Sequence, residues 1–298
     1  MSTPRAGKVG AKLAGMPEKP KAKTQGERLL DGIGRQFTAK ELKAISAGAG
    51  VGRVTPIRVN MDFHGEEVCF GFLTDTHMGS IYYHEDFLAA AIEKWREARV
   101  NFVIHGGDVT NGMDPRKYNV LFESTHIGFA AQKDYAVAQL KRIPFPLYVI
   151  DGNHDRWYEA MGGHIVEDIC REVPGATYLG RDEGRLTGRQ VGKLGKVDIM
   201  VFHGEDGSSY ATSYRIQKLV ESFTGGEKPH VLLVGHSHKQ GYFFDRNIHA
   251  VTGGALSVQS RFMRSKRLAC HSGYQTCRMT VNGGGVGEFT YTWKPFYA

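Results

Sequence analysis

The chain holds 298 residues, 41% hydrophobic and 23% charged, which is apolar material enough for a folded core and excludes disorder as the state of the whole. Its net charge of +7 is unevenly placed: residues 1–28 carry +5, residues 261–278 carry another +5, and the remainder stands at −3. No uncharged apolar run reaches the roughly 18 residues of a membrane span and no apolar stretch opens the chain as in a signal peptide, so the sequence predicts a cytoplasmic protein with no membrane partner.

Residues 1–28 mix Gly, Pro, Ala and Lys without apolar periodicity and read as a disordered basic arm. In the segment 29–67, Thr38 and Glu41 have capping-box spacing ahead of Leu42 and Ile45, which predicts a short helix, either packed on the main domain or a remnant of a helix-turn-helix. From residue 68 the rhythm changes to short apolar runs that end in polar clusters, at 68–74, 101–104, 146–150, 197–202 and 230–234. Such runs read as buried strands. Between them, 85–99, 125–141, 163–172 and 210–223 have helical spacing, and after His238 the runs 242–245, 248–251, 276–281 and 287–293 alternate as strands do. The sequence therefore predicts one α/β domain over 68–298. Cys69, Cys170, Cys270 and Cys277 are widely spaced with no CxxC pair, which suggests neither a disulfide framework nor a zinc ribbon.

In α/β sheets, ligands bind at the carboxyl ends of strands, and each of the five runs ends in His, Asp or Asn. The set comprises Asp75, His77, Asp108, Asn153, His154, His203, His236 and His238. Imidazoles mixed with carboxylates suit Mn, Fe, Zn or Ni better than Mg or Ca. Seven of these eight as candidate ligands exceed what one ion needs and suit a pair, which requires a bridging carboxylate.

The blocks Asp75-Thr76-His77, Gly107-Asp108, Gly152-Asn153-His154-Asp155, His203 and Gly235-His236-Ser237-His238 occur in the order seen in the calcineurin-like metallophosphoesterase superfamily, which residues 70 to 240 therefore resemble. The resemblance implies a four-layer metallophosphoesterase fold with central mixed β-sheets flanked by helices, and two divalent transition-metal ions, Mn first, with Fe, Zn or Ni as alternatives. It implies that Asp75, His77 and His238 hold one ion, that Asn153, His203 and His236 hold the other, and that Asp108 bridges them. His154 would be the general acid for the leaving oxygen, or a hydrogen-bond donor to phosphate, in hydrolysis by hydroxide held at the metals. Asp155 would orient His154 or cap the next helix, and Arg156 would clamp phosphate or form a surface salt bridge. Gly106, Gly107 and Gly235 would let backbone approach the metals. His105, His126, His164, His249 and His271 fit no block and are expected to be structural.

The run after the bridging Asp lacks the arginine of protein phosphatases and the tyrosine of purple acid phosphatases. The two basic segments, with Phe262 and Tyr274 near the second, favour a nucleic acid or nucleotide, because Lys and Arg displace counterions from phosphates and aromatic faces stack on bases. Arg264, Lys266 and Arg267 are the candidate substrate contacts there, in a stretch similar to segments of phage and prokaryotic calcineurin-like proteins tied to DNA metabolism. The expected function is a phosphodiesterase or nuclease, in the cytoplasm of a prokaryotic or phage-infected cell. A phosphomonoesterase acting on a small molecule or phosphoprotein, and a non-catalytic nucleic-acid-binding accessory subunit, are the alternatives.

Overall fold

The structure, a computed structural model, describes residues 57–114, 121–193, 195–205, 211–224, 226–283 and 285–297. The basic arm at 1–28 and the helix expected at Thr38 lie outside the described residues.

In chain order the first elements are β1 (Ile57–Phe63), β2 (Glu67–Leu73), α1 (Glu85–Ala98), β3 (Phe102–His105), α2 (Phe129–Leu140) and β4 (Leu147–Ile150). A 3-10 helix, Asp155–Met161, precedes α3 (Ile165–Glu172), β5 (Ala176–Gly180), β6 (Glu183–Gln190), β7 (Lys196–Phe202) and α4 (Thr212–Ser222). Then come β8 (Val231–Val234), β9 (Gln240–Asp245), β10 (Ile248–Gly253), α5 (Arg261–Ser265), β11 (Gly273–Asn282) and β12 (Gly285–Pro295).

The strands form two six-stranded sheets, ordered β12-β11-β2-β3-β4-β5 and β1-β6-β7-β8-β10-β9. Both are mixed: β2, β3, β4 and β5 run parallel while β11 is antiparallel to β2, and β7, β8 and β10 run parallel while β9 is antiparallel to β10. Alternation along β2 sorts its side chains. Phe70 and Phe72 enter the layer between the sheets with Phe102, Ile104, Val201 and Leu233, whereas Cys69 and Leu73 join the helix-facing cluster. Full burial of a side chain of this size contributes about 1.5–3 kcal/mol, so the intersheet layer is a principal source of stability.

Helices cover the outer faces. In α1 the buried residues Leu88, Ala91, Ile92 and Trp95 recur at helical spacing, and Glu85 and Asp86 sit in the first turn, where the helix dipole favours acids. On the other side α4 supplies Ile216 and Val220 to a cluster with Met200 and Leu232. The result is the expected α/β arrangement of two mixed sheets flanked by helices.

β1, an extended stretch within the N-terminal segment 29–67, pairs in parallel with β6. Two strands, β5 and β6, were not foreseen. β6 has no apolar run because it carries Arg185 into the interior, where Nη1 donates to Asp198 Oδ2 of β7 at 3.0 Å. β5 is a short polar-aromatic stretch on the edge of its sheet. The helices expected at 125–141 and 210–223 are shorter than their apolar spacing suggested, and α2 starts only after Gly128, whose φ of 91° does not continue a helix.

Gly71 lets α1 pack on β2: a Cβ there would lie 2.5 Å from the indole of Trp95, whose Nε1 is fixed by a hydrogen bond to Gln275 O at 3.1 Å. Gly71→Ala should therefore lower unfolding stability by about 1–3 kcal/mol, read from the urea midpoint; an unchanged midpoint would show that the indole yields freely.

Candidate dinuclear metal centre

The loops leaving β2, β3, β4, β7 and β8 converge at one end of the two sheets. Loop pairs with loop by strand-like backbone bonds: Asp75 N donates to Gly107 O, His77 N to Asp108 O and Met78 N to Val109 O, at 2.9–3.0 Å. Asp75, His77, Asp108, His236 and His238 all have positive φ, between 48° and 75°. Holding a non-glycine residue there costs about 1–3 kcal/mol and requires surrounding bonds to enforce it. Close packing adds to the constraint, since a Cβ on Gly152 would fall 2.1 Å from Asp108 N and Oδ1. Gly107 and Gly235 both pack against the ring of His203, where an added Cβ would come within 2.6 and 2.7 Å of Nδ1.

The seven residues expected as ligands are brought together. His77 Nε2 and His238 Nε2 lie 3.2 Å apart, and His238 Nε2 is 3.2 Å from Asp75 Oδ1. Asn153 Oδ1 lies 3.2 Å from His203 Nε2 and 2.7 Å from His236 Nδ1. Between the two groups Asp108 Oδ2 stands 3.7 Å from His77 Nε2 and 3.4 Å from His203 Nε2.

The remaining atoms of these side chains are tied back. His203 Nδ1 donates to Gly106 O at 2.7 Å, leaving Nε2 for the centre. Asp75 Oδ2 accepts from Thr74 Oγ1 at 2.7 Å and His236 N at 3.0 Å, and Asp108 Oδ1 accepts from His154 N at 2.8 Å. Asp75 Oδ1 is buried without a hydrogen bond. Oxygen and nitrogen lone pairs therefore converge in two groups, Asp75, His77 and His238 on one side and Asp108, His203 and His236 on the other, which fits a pair of cations sharing Asp108.

Electrostatics agree with that donor set. Burial opposes ionisation of Asp75 and Asp108, but His238 beside the first and His203 beside the second hold both carboxyls below the usual range. Conversely, burial would discharge those two rings, yet Asp108 pushes His203 up to about 9 and Asp75 pushes His238 up to about 10. Burial lowers His77 to about 3, helped by His154, and lowers His236 to about 4, helped by His203.

His154 lies within the reach of His77 and Asp108. Its Nδ1 is 2.8 Å from Asn111 O, which places a hydrogen on Nδ1, and its ring packs on Trp157 at 3.9 Å.

One expectation is corrected and another is decided between its alternatives. Asp155 neither orients the His154 ring nor caps a helix with its side chain: its carboxylate accepts from Gly152 N at 2.9 Å, Val109 N at 3.0 Å, and Thr110 N and Oγ1, both at 2.8 Å. A buried carboxylate thereby clamps the Asp108 loop to the Asn153 loop. Arg156 is itself buried but ion-paired with the half-buried Asp182 and the exposed Glu205, which is the salt bridge expected as the alternative to a phosphate clamp. Arg264, Lys266 and Arg267 are exposed on and after α5, outside the donor cluster.

Sequence reasoning missed the support given by His105. Its Nδ1 accepts from Gly107 N at 3.2 Å and its Nε2 lies 3.0 Å from Thr76 Oγ1, so the ring joins the first two ligand loops from behind. Arg215 on α4, also unforeseen, helps to keep His236 uncharged. Neither position carries a motif that could have signalled it.

Residues 69–271 match the calcineurin-like phosphoesterase superfamily domain, and the chain belongs to that superfamily of hydrolases acting on phosphoester bonds. Similar solved structures include an archaeal phosphodiesterase, 14% identical, covering 76% of this chain and 100% of that one with a TM-score of 0.43. The phosphoesterase YfcE from E. coli is 14% identical over 75% of this chain and 98% of its own, TM-score 0.40. A dimetal phosphatase from Danio rerio is 12% identical over 76% and 99%, TM-score 0.40. No curated protein sequence matches the chain.

Cations that take the Nε2 lone pairs of His203 and His238 must expel both protons. Metal loading near neutral pH should therefore release about two protons, and apparent affinity should climb with pH until these rings discharge near 9 and 10. Calorimetry in buffers of different ionisation enthalpy reads the release, and a buffer-independent heat would contradict it. Asp155→Ala, by loosening the Asp108 and Asn153 loops, should weaken metal binding about 10–100-fold in a chelator competition; unaltered affinity would show that the loops hold without the clamp.

Proposed function

We propose that this chain is a dinuclear-metal-dependent phosphodiesterase acting on nucleic acid or nucleotides. The observation that carries the reading is the position of Asp108 Oδ2 between His77 Nε2 and His203 Nε2, with a complete set of nitrogen and oxygen donors on either side. Asp75, His77 and His238 would hold one cation, Asn153, His203 and His236 the other, and Asp108 both. Two divalent transition metals, Mn by preference, would supply the charge that binds phosphate oxygens and lowers the pKa of a water nucleophile towards neutrality.

The chain's own residues then have distinct tasks. Asn153 contributes a neutral oxygen, which limits negative charge where a phosphate must dock. The Asn111 carbonyl fixes the tautomer of His154, so that its protonated Nε2 can donate to the leaving oxygen. With Asp182 and Glu205 occupying Arg156, that guanidinium does not meet the second charge of a monoester dianion. This favours a singly charged diester. The acid-free basic segment beyond the last ligand favours a nucleic acid or nucleotide as its source.

With Mn supplied, bis-p-nitrophenyl phosphate should be hydrolysed faster than p-nitrophenyl phosphate, and Asp108→Ala or His236→Ala should abolish turnover while the fold persists. His154→Ala should keep its metals and lose about 10²–10⁴-fold in turnover. Preference for the monoester over every diester would overturn the substrate reading, and unchanged turnover in the ligand variants would overturn the mechanism.

A further inference from the structure

The connection between β10 and β11, residues 254–272, is stitched to the first ligand group at both ends. On the outgoing leg Leu256 N donates to Thr74 O at 3.0 Å, Ser257 Oγ to Asp75 O at 3.1 Å and Val258 N to Tyr82 O at 3.0 Å. On the return leg Cys270 Sγ lies 3.8 Å from His238 Nδ1, and His271 N donates to His238 O at 2.8 Å.

The tip between these legs is folded. Ser260 Oγ accepts from Met263 N at 3.2 Å to cap α5, and Met263 is buried beneath it. Arg261 N donates to the Tyr82 hydroxyl at 3.0 Å, and Gln259 Nε2 closes the base of the tip on Leu268 O at 2.7 Å.

On this fixed scaffold Arg261, Arg264, Lys266 and Arg267 are all exposed, and none of them has an ion-pair partner among the described residues. No acidic residue occurs between Asp245 and Glu288. Phe262 stands among the cations, 62% exposed. Glu123 reaches the Tyr82 hydroxyl at the base of the tip, one acid against four cations that repel one another, and a polyanion relieves that repulsion.

We propose that this tip is a strand clamp, which binds the sugar-phosphate backbone of a single nucleic-acid strand to one side of the cleaved phosphodiester and so selects a polymer over a mononucleotide. The inference rests on the phosphodiesterase reading and narrows it. Arg261 is four residues from Ser257, which bonds the backbone of Asp75, so about 14 Å of chain at most separates the two. An anion at the tip is therefore only a few nucleotides from a phosphate at the metals. A strand repeats its phosphates at that scale, whereas a lone nucleotide cannot occupy both places. Guanidiniums fork onto phosphate oxygens, and the ring of Phe262 offers a stacking face for a base. An acidic protein would supply the charge but neither the diester for the adjacent centre nor the base for Phe262.

The test uses the full chain loaded with Mn. In the variant carrying Arg261→Gln, Arg264→Gln, Lys266→Gln and Arg267→Gln, the ratio of kcat/KM for a single-stranded oligonucleotide to that for bis-p-nitrophenyl phosphate should fall at least about tenfold, since each lost phosphate contact weakens strand binding. The slope of log affinity against log salt should become shallower by about 0.7 per lost contact. Phe262→Ala should lower the oligonucleotide affinity and leave the salt slope unchanged. Arg264→Gln alone, at an exposed position, should shift the ratio and slope in the same direction, which keeps the question open to decision if the fourfold variant does not fold. An unchanged ratio and slope would overturn the clamp, as would equally tight, equally salt-sensitive binding of a poly-glutamate peptide. If the unaltered protein cleaves no diester, the phosphodiesterase reading fails, and the salt slope of oligonucleotide binding still decides the clamp.

Discussion

Two buried carboxylates, Asp75 and Asp108, set the terms for everything at the end of the sheets. An ionised carboxylate removed from water is costly unless charge or hydrogen bonds replace the lost hydration. Here one oxygen of each is satisfied by backbone N–H or hydroxyl donors, and the other faces imidazole nitrogens. That division of labour explains the strained backbone. Five of the seven candidate ligand residues lie in the left-handed region, and the sharp turns there aim both oxygens and rings at shared points.

The layer behind the ligands is as specific as the ligands. Asp155 joins the loops that carry Asp108 and Asn153, His105 joins those that carry Asp75 and Asp108, and the β10–β11 connection bonds the backbones of Asp75 and His238. Asp155 also shows the cost of this arrangement. Burial, with the nearby charge of Asp108, raises it to about 6 despite its backbone donors, so the clamp that orders the centre is itself held against electrostatic repulsion. Metals that offset the charge of Asp108 would relieve it, and the support and the centre are in this sense one electrostatic unit.

Much of this was legible in the sequence because buried strands advertise themselves as apolar runs, and here each run ends in His, Asp or Asn, residue types able to bind metals. The α/β class followed from the runs, and the candidate ligand set from the blocks that resemble the superfamily. What stayed hidden had no local signature. β6 conceals a strand behind Arg185, whose burial is tolerable only because Asp198 arrives from the neighbouring strand. Asp155 closes a motif and Arg156 follows it, which invited roles beside His154 and at phosphate, but their partners, Val109 and Thr110 for one, Asp182 and Glu205 for the other, are distant in sequence. His105 looked like any histidine in a strand until Gly107 and Thr76 closed on it.

The net positive charge of the chain also takes on a different sense. The centre is organised around carboxylates, while the described basic tip stands apart from it on a connection that shares its hydrogen bonds. In the proposed reading, attraction of phosphate at the centre falls to the metals, and attraction of a longer polyanion to the tip. The most direct test of the central claim is electron paramagnetic resonance of the Mn-loaded chain together with its metal content. The account predicts two Mn per chain with an exchange-coupled spectrum that collapses to isolated-ion signals in Asp108→Ala. A single bound ion, or two uncoupled ions in the unaltered protein, would contradict it.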